Sequence, residues 1–319
     1  MSMNFPFPIQ QTLTAIALAY KNEEYIADAV MPRTAVPSRE FKWQQFNRDE
    51  MFTVPETQVG RKGSPSEVQF TSTEVASFVN DYGLDDVVPQ EDITSAPPGY
   101  DPMGRAVEGI AELVALDRER RVANLLTTLT TYPAANRATL SGTSQWSDFA
   151  NSDPYTAIMS AFDTMLMRPN IGVFSRVTWQ RLRTHPRITA ALAPSGMGNT
   201  PTTAAGGRPA TVEAVRELLE LDAIYIGNAW INTAKPGQTA SLSRLWGRHA
   251  AFLHQNPAAS IRGNAVTFGF TAEWGSRVAG SIAEPKIGLR GSQRARVGES
   301  VRELVVASDV GYLFRDAVA

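Results

Sequence analysis

Residues 101–132, DPMGRAVEGIAELVALDRERRVANLLTTLTTY, decide how this chain is read. Asp101 can cap a helix, and Pro102 fits the first helical position, where its missing N–H costs nothing. No proline follows until Pro133, and after the first turn the stretch holds one glycine, Gly109. Val107, Ile110, Val114, Val122, Leu125, Leu126 and Leu129 form an apolar stripe, with Arg105, Glu108, Glu112, Arg118 and Arg121 expected mostly on the other side. The spacing predicts one helix over 101–132, roughly 45 Å long at 1.5 Å per residue. No other segment offers a helix of comparable length to bundle with it, so it is expected to bridge separate parts of the subunit.

On its N-terminal side the sequence thins out. Residues 1–39 carry a short helical pattern in Gln11 to Tyr20 flanked by Pro6, Pro8, Pro32 and Pro37, which reads as an arm. Residues 40–80 read as a long hairpin: Phe41 and Trp43 alternate with Lys42 and Gln44, and Val68, Phe70, Val75 and Val79 follow on the return limb. Its tip is Gly60-Arg61-Lys62-Gly63, two cations between two glycines. A lone two-stranded hairpin is marginal in water and must lie on something, within the subunit or on the next one.

On the C-terminal side, Asp153-Pro154 repeats the cap signal, and Ser175 and Thr211 can cap further amphipathic helices. Ile171 to Phe174, Ile224 to Ala229, Leu242 to Leu253, Ala265 to Trp274 and Val297 to Leu313 read as strands. The fold class is α+β with segregated pieces, without the strict alternation of a doubly wound nucleotide fold.

Composition narrows the function. The chain has 319 residues, no cysteine and three histidines, which excludes disulfides, cysteine-ligated zinc and thiol nucleophiles and leaves little for histidine chemistry. No apolar run approaches the roughly 20 residues that span a bilayer, so no membrane role is expected. Net charge is −2, yet residues 1–100 hold 7 basic against 14 acidic side chains. That split suits a segment lying on a neighbour's more basic body, and equally a solvated acidic face. Arginine outnumbers lysine 25 to 5, a bias of interfaces and also of GC-rich genomes.

Motifs for chemistry are weak. The glycine-rich stretch 194–207 lacks the Walker lysine and the strand and helix of a dinucleotide fingerprint, and reads as a loop. Ser141 to Ser144 lacks the setting of a nucleophile elbow. His249 and His254 would point to opposite faces of a strand and its exit, and His185, before Pro186, reads as a helix cap. Asp85-Asp86, Glu23-Glu24 and Glu91-Asp92 read as solvated acidic surface. Catalytic residues, cofactors and metals are expected to be absent.

Several stretches together resemble the major capsid proteins of tailed bacteriophages, which share the Hong Kong 97 capsid fold. They are Asp101-Pro102 into Leu116 to Leu126, Arg168-Pro169-Asn170 into Ser175 to Pro186, Ile224 to Ala229, Leu245-Trp246-Gly247 and Ala307 to Phe314. The resemblance implies an N-terminal arm over 1–39, an extended β-hairpin loop over 40–80, a peripheral domain over 81–149 with the spine helix 101–132, an axial domain over 150–260, and C-terminal strands over 261–319 returning to the peripheral domain. It implies a non-enzymatic subunit that assembles with itself into the hexamers and pentamers of an icosahedral head enclosing double-stranded DNA. Assembly would occur in the host bacterial cytoplasm, and the protein would reside in the virion. Partners would be further copies, a separate scaffolding protein if one is needed, portal and decoration proteins, and DNA held non-specifically. Contacts between subunits would involve Phe41, Trp43, Phe46, Arg61, Lys62 and Phe70. Some members join subunits by an isopeptide bond from a lysine on the extended loop; Lys62 holds that place, without an assignable partner. The alternatives are an encapsulin-type compartment on the same fold and, in another class, a small-molecule enzyme using the loop at 194–207.

Overall fold

The structure, a computed structural model, describes residues 10–19, 24–46, 53–68, 72–192, 209–256 and 266–319. Its strands are β1 (Arg33–Ala35), β2 (Glu40–Phe46), β3 (Ser72–Phe78), β4 (Asn80–Pro89), β5 (Arg137–Thr139), β6 (Ile171–Ser175) and β7 (Ala223–Gly227). They continue as β8 (Trp230–Asn232), β9 (Leu242–Arg244), β10 (Ala250–Leu253), β11 (Gly269–Glu273), β12 (Val278–Glu284), β13 (Ser292–Val305) and β14 (Gly311–Arg315). The glycine-rich stretch at 194–207 and Phe70 lie outside the described residues, as does the side chain of Phe46.

The long helix runs Pro102–Thr127, 26 residues and about 39 Å. Asp101 caps it, its side chain accepting from the Met103 N–H at 3.0 Å. It stops short of the expected residue 132 because threonine hydroxyls take over its last carbonyls: Thr127 donates to Ala123 O, Thr128 to Asn124 O and Thr131 to Leu125 O. A single 3₁₀ turn, Leu129–Thr131, follows. Tyr132 Oη then donates back to Leu126 O at 2.9 Å, which fixes the exit.

This helix covers two sheets. Its first half lays Val107, Ile110, Ala111 and Val114 on Val88, Ala279, Ala295 and Val297 of a sheet built on β13. In that sheet β12 and β4 flank β13 on opposite edges, since both pair with residues 292–298, and β11 extends the β12 side and pairs in parallel with β1. Leu13 and Ala17 of an N-terminal helix, Gln11–Ala19, close the same core. The second half of the long helix lays Val122, Ala123 and Leu126 on one face of a second sheet, ordered β5-β14-β10-β6-β7. Helices Pro154–Thr164, Arg176–Thr184 and Val212–Leu218 cover the other face. Side chains therefore alternate between two cores: Ile171, Val173, Ala251, Leu253 and Leu313 face the long helix, whereas Phe174, Ala250, Phe252, Tyr312 and Phe314 face the helical layer. A sheet buried on both sides needs apolar residues at nearly every position, which is what β6, β10 and β14 supply.

Three expectations are corrected. The expected strand at 297–313 is two strands in different sheets, β13 in the first and β14 in the second, between β5 and β10. The expected strand at 242–253 is two strands with separate partners, β9 on β8 and β10 between β6 and β14. The charged side chains of the long helix are not all outward: Arg118 is 2% exposed and Glu119 fully buried, because the chain at 26–35 covers that face.

Candidate functional site

The hairpin at 40–80 has a root and a reach. At the root β2 and β3 pair antiparallel, Trp43 opposite Val75. Phe41 and Trp43 are 5% and 7% exposed and lie among Val36, Val79, Phe270 and Ala272 of their own subunit. Burial of two such rings contributes roughly 1.5–3 kcal/mol each, enough to hold a hairpin that could not stand alone. Beyond the root, residues 53–68 are irregular, and every one of them is exposed, including Val54 at 89%. Arg61 and Lys62 form a turn at the tip, closed by the Gly63 N–H donating to Gly60 O at 2.8 Å. The structure thus places Phe41 and Trp43 inside the subunit and Arg61 and Lys62 outside it, and does not bring these candidates together.

An ionic knot that the sequence reading missed ties residues 28–33 to the long helix and to β11 and β13. Arg118 on the long helix pairs with Asp28, and its Nη2 donates to Met31 O at 3.3 Å and Thr271 Oγ1 at 3.1 Å. Arg33 bridges Asp28 at 2.8 Å, Glu273 at 2.7 Å and the buried Glu299 at 2.9 Å. Burial pushes the Asp28 carboxyl up, yet Arg118 and Arg33 outweigh it and hold it below the usual carboxylate range. Next to the knot, Glu119 accepts from the Ile26 N–H at 3.1 Å, the Ala27 N–H at 2.8 Å and Trp246 Nε1 at 2.7 Å. Burial raises its carboxyl despite those donors.

Three of the stretches that carried the family resemblance, at 116–126, 224–229 and 245–247, meet at this point. Trp246 reaches Glu119 only because Gly227 leaves room: a Cβ at 227 would lie inside the indole ring. Leu245 N–H in turn donates to Ala229 O at 3.0 Å. Asn170 locks a neighbouring corner, exchanging bonds with Gln255 at 2.7 and 2.8 Å.

The residues weighed for chemistry have structural work. His185 Nδ1 accepts from the Arg187 N–H at 3.2 Å, capping helix Pro186–Ala191, and Nε2 meets Ser152 Oγ at 3.0 Å. Because Ser152 Oγ already donates to Asp148 O, the His185 proton sits on Nε2. Burial lowers His185 to about 4. His249 Nδ1 accepts from the Asp316 N–H, whereas His254 faces Arg168 O, so the two do not share a ligand. Asp85 is held by Arg296 at 2.6 Å and Arg294 at 3.5 Å, while Asp86 is not part of that cluster. Ser141 and Ser144 form a capping box on a single 3₁₀ turn. Among the described residues no group of acidic, histidine or cysteine side chains could hold a metal ion, and no helix is long and apolar enough to cross a membrane.

No protein-family model matches the sequence. The chain is 50% identical over 320 residues to the major capsid protein of Pseudomonas phage JBD67, covering 99% of each. It belongs to the phage major capsid proteins. Among solved structures, a phage-related protein of Bordetella bronchiseptica RB50 superposes with a TM-score of 0.73 at 20% identity over 98% of both chains. The capsid of cyanophage P-SCSP1u matches with a TM-score of 0.58 at 11% identity, over 98% of this chain and 92% of that one. These two likenesses give the fold, which is the Hong Kong 97 capsid type. The relative matched across the chain decides the branch: this capsid protein is a structural subunit of a phage virion and not the encapsulin-type shell weighed from the sequence.

Proposed function

We propose that this capsid protein builds an icosahedral head around double-stranded DNA by exchanging the loop at 53–68 between neighbouring copies in hexamers and pentamers. The observation that carries the reading is that this loop leaves its subunit with every residue exposed while its root is fixed by Phe41 and Trp43. An exposed loop of that length on a fixed root gains its stability from a surface the monomer does not supply. Arg61 and Lys62 at the tip meet acidic side chains of the next copy, in keeping with the acidic first third of the chain.

On this reading residues 40–80 are the extended loop, the β13 sheet with the first half of the long helix is the peripheral domain, and the β6–β10–β14 sheet with its helices is the axial domain. The arm at 1–39 is held to its own subunit by the knot around Arg118 and by Leu13 and Ala17 in the first core. The subunit acts without catalysis or cofactor and assembles in the host cytoplasm. A separate scaffolding protein, a portal and decoration proteins are further partners, and DNA contact is diffuse and non-specific. Reversing the tip charges, Arg61→Glu with Lys62→Glu, is expected to leave unfolding of the free subunit within about 0.5 kcal/mol, as for surface changes generally. Shells scored by electron microscopy should then be lost; normal shells from the double variant would remove the loop from the assembly mechanism.

A further inference from the structure

A groove of about 810 Å³ runs between β4 and the first half of the long helix. Three large apolar side chains on its wall are half-exposed: Leu84 at 44%, Tyr100 at 48% and Leu113 at 54%. Of the carboxylates on the wall, Asp85 is occupied by Arg294 and Arg296 within the subunit, which leaves Asp86 and Asp92 against one cation, Arg105. The outer edge of β4 has no strand partner among the described residues. Monomeric surfaces seldom leave such apolar walls and a free strand edge together.

The same chain carries a knob of matching chemistry. The turn between β12 and β13 holds Leu289 at 98% exposure, with Ile287 at 39%, flanked by Lys286 and by Arg290, which pairs with Glu91 of its own subunit at 3.3 Å. The turn is built to keep its shape. Gly288 and Gly291 take φ of +78° and +79°, values other residues adopt at a cost. Ser292 Oγ donates to Ile287 O at 2.9 Å, and Gln90 N–H donates to Gly291 O at 3.0 Å. Almost wholly exposed, Leu289 has no apolar cover within its own subunit.

We infer that Leu289 of one copy enters the groove beside the long helix of the next copy, with Lys286 facing Asp86 and Asp92 on its rim. Knob and groove are different residues of one chain, so the same contact can repeat from copy to copy as a shell requires. A pre-shaped turn loses little freedom on docking, which favours it over the irregular loop at 53–68 as the occupant. This contact rests on the shell reading and adds a second, independent joint to the one made by that loop.

The absence of cysteine makes the contact directly testable. Full-length Leu289→Cys and Leu113→Cys chains would be co-assembled in equal amounts and the purified shells oxidised, since a disulfide forms only when the two Cα atoms come within about 7 Å. A covalent dimer in the mixture, absent when either variant assembles alone, is expected. Dimers from Leu289→Cys alone, a Leu113→Cys link to Val59→Cys in place of Leu289→Cys, or no link in intact shells would each overturn the contact. Leu289→Asp provides a second measure: shell yield should fall about tenfold or more with the subunit's unfolding midpoint unchanged, and wild-type yield would overturn the proposal. If the wild-type chain forms no shells, the shell reading fails; if it forms shells that do not cross-link in this way, only this contact fails.

Discussion

At the scale of single residues, two buried polar groups hold more of the architecture than their sequence positions suggest. Glu119 satisfies the Ile26 and Ala27 N–H groups and the Trp246 indole at once, so Glu119→Gln must turn its amide N–H₂ toward a donor. A loss of about 1–3 kcal/mol is expected for Gln, and about 2–5 kcal/mol for Ala, which also leaves a void. Urea unfolding of the unassembled subunit measures both. His185 gives a pH signature. Its folded value lies near 4 against an ordinary 6.5, so the unfolded chain binds the proton first as pH falls. Its contribution is therefore full above pH 6.5 and is lost between there and about pH 4, on the order of 1–3 kcal/mol. His185→Ala should unfold more easily at pH 7.5 and show a flatter decline over that interval; an unchanged slope would mean that another group carries it.

At the scale of elements, the long helix was legible because its signals are local. Asp101 and Pro102 start it, and the stripe from Val107 to Leu126 faces the two sheets. Asp101→Ala should cost about 0.5–2 kcal/mol, and Asp153→Ala a similar amount at the second capped helix, both read from thermal unfolding. The alternation at Phe41 and Trp43 was legible too, but their destination inside the subunit was not, since burial depends on Phe270 and Ala272 far along the chain. Strand β4 was missed altogether. It carries three aspartates and a glycine, and among its ten residues only Val88 is buried. What makes it a strand is pairing with β13 and the Asp85 bridge to Arg296, neither of which leaves a periodic mark. Arg118 was misplaced, and the role of Glu119 unseen, for the same kind of reason: the segment at 26–35 that covers them lies some ninety positions away. The groove beside the long helix depends on β4 and was invisible with it.

At the scale of the whole molecule, two cores share one helix, a third lies on the far face of the second sheet, and a loop and an apolar turn are exposed outside them. A subunit built this way is stable as a body and incomplete as a surface. The long helix spans both sheets, and the exposed loop and turn are the proposed joints to neighbours. Kinship with a phage capsid protein across the full chain states what that incompleteness is for. The most direct measurement is cryo-electron microscopy of the full-length chain purified after expression with the other head proteins of its phage. Closed icosahedral shells of uniform diameter, with residues 53–68 of each copy lying on the next, are expected. Monomers alone, or shells in which that loop stays on its own subunit, would contradict the account.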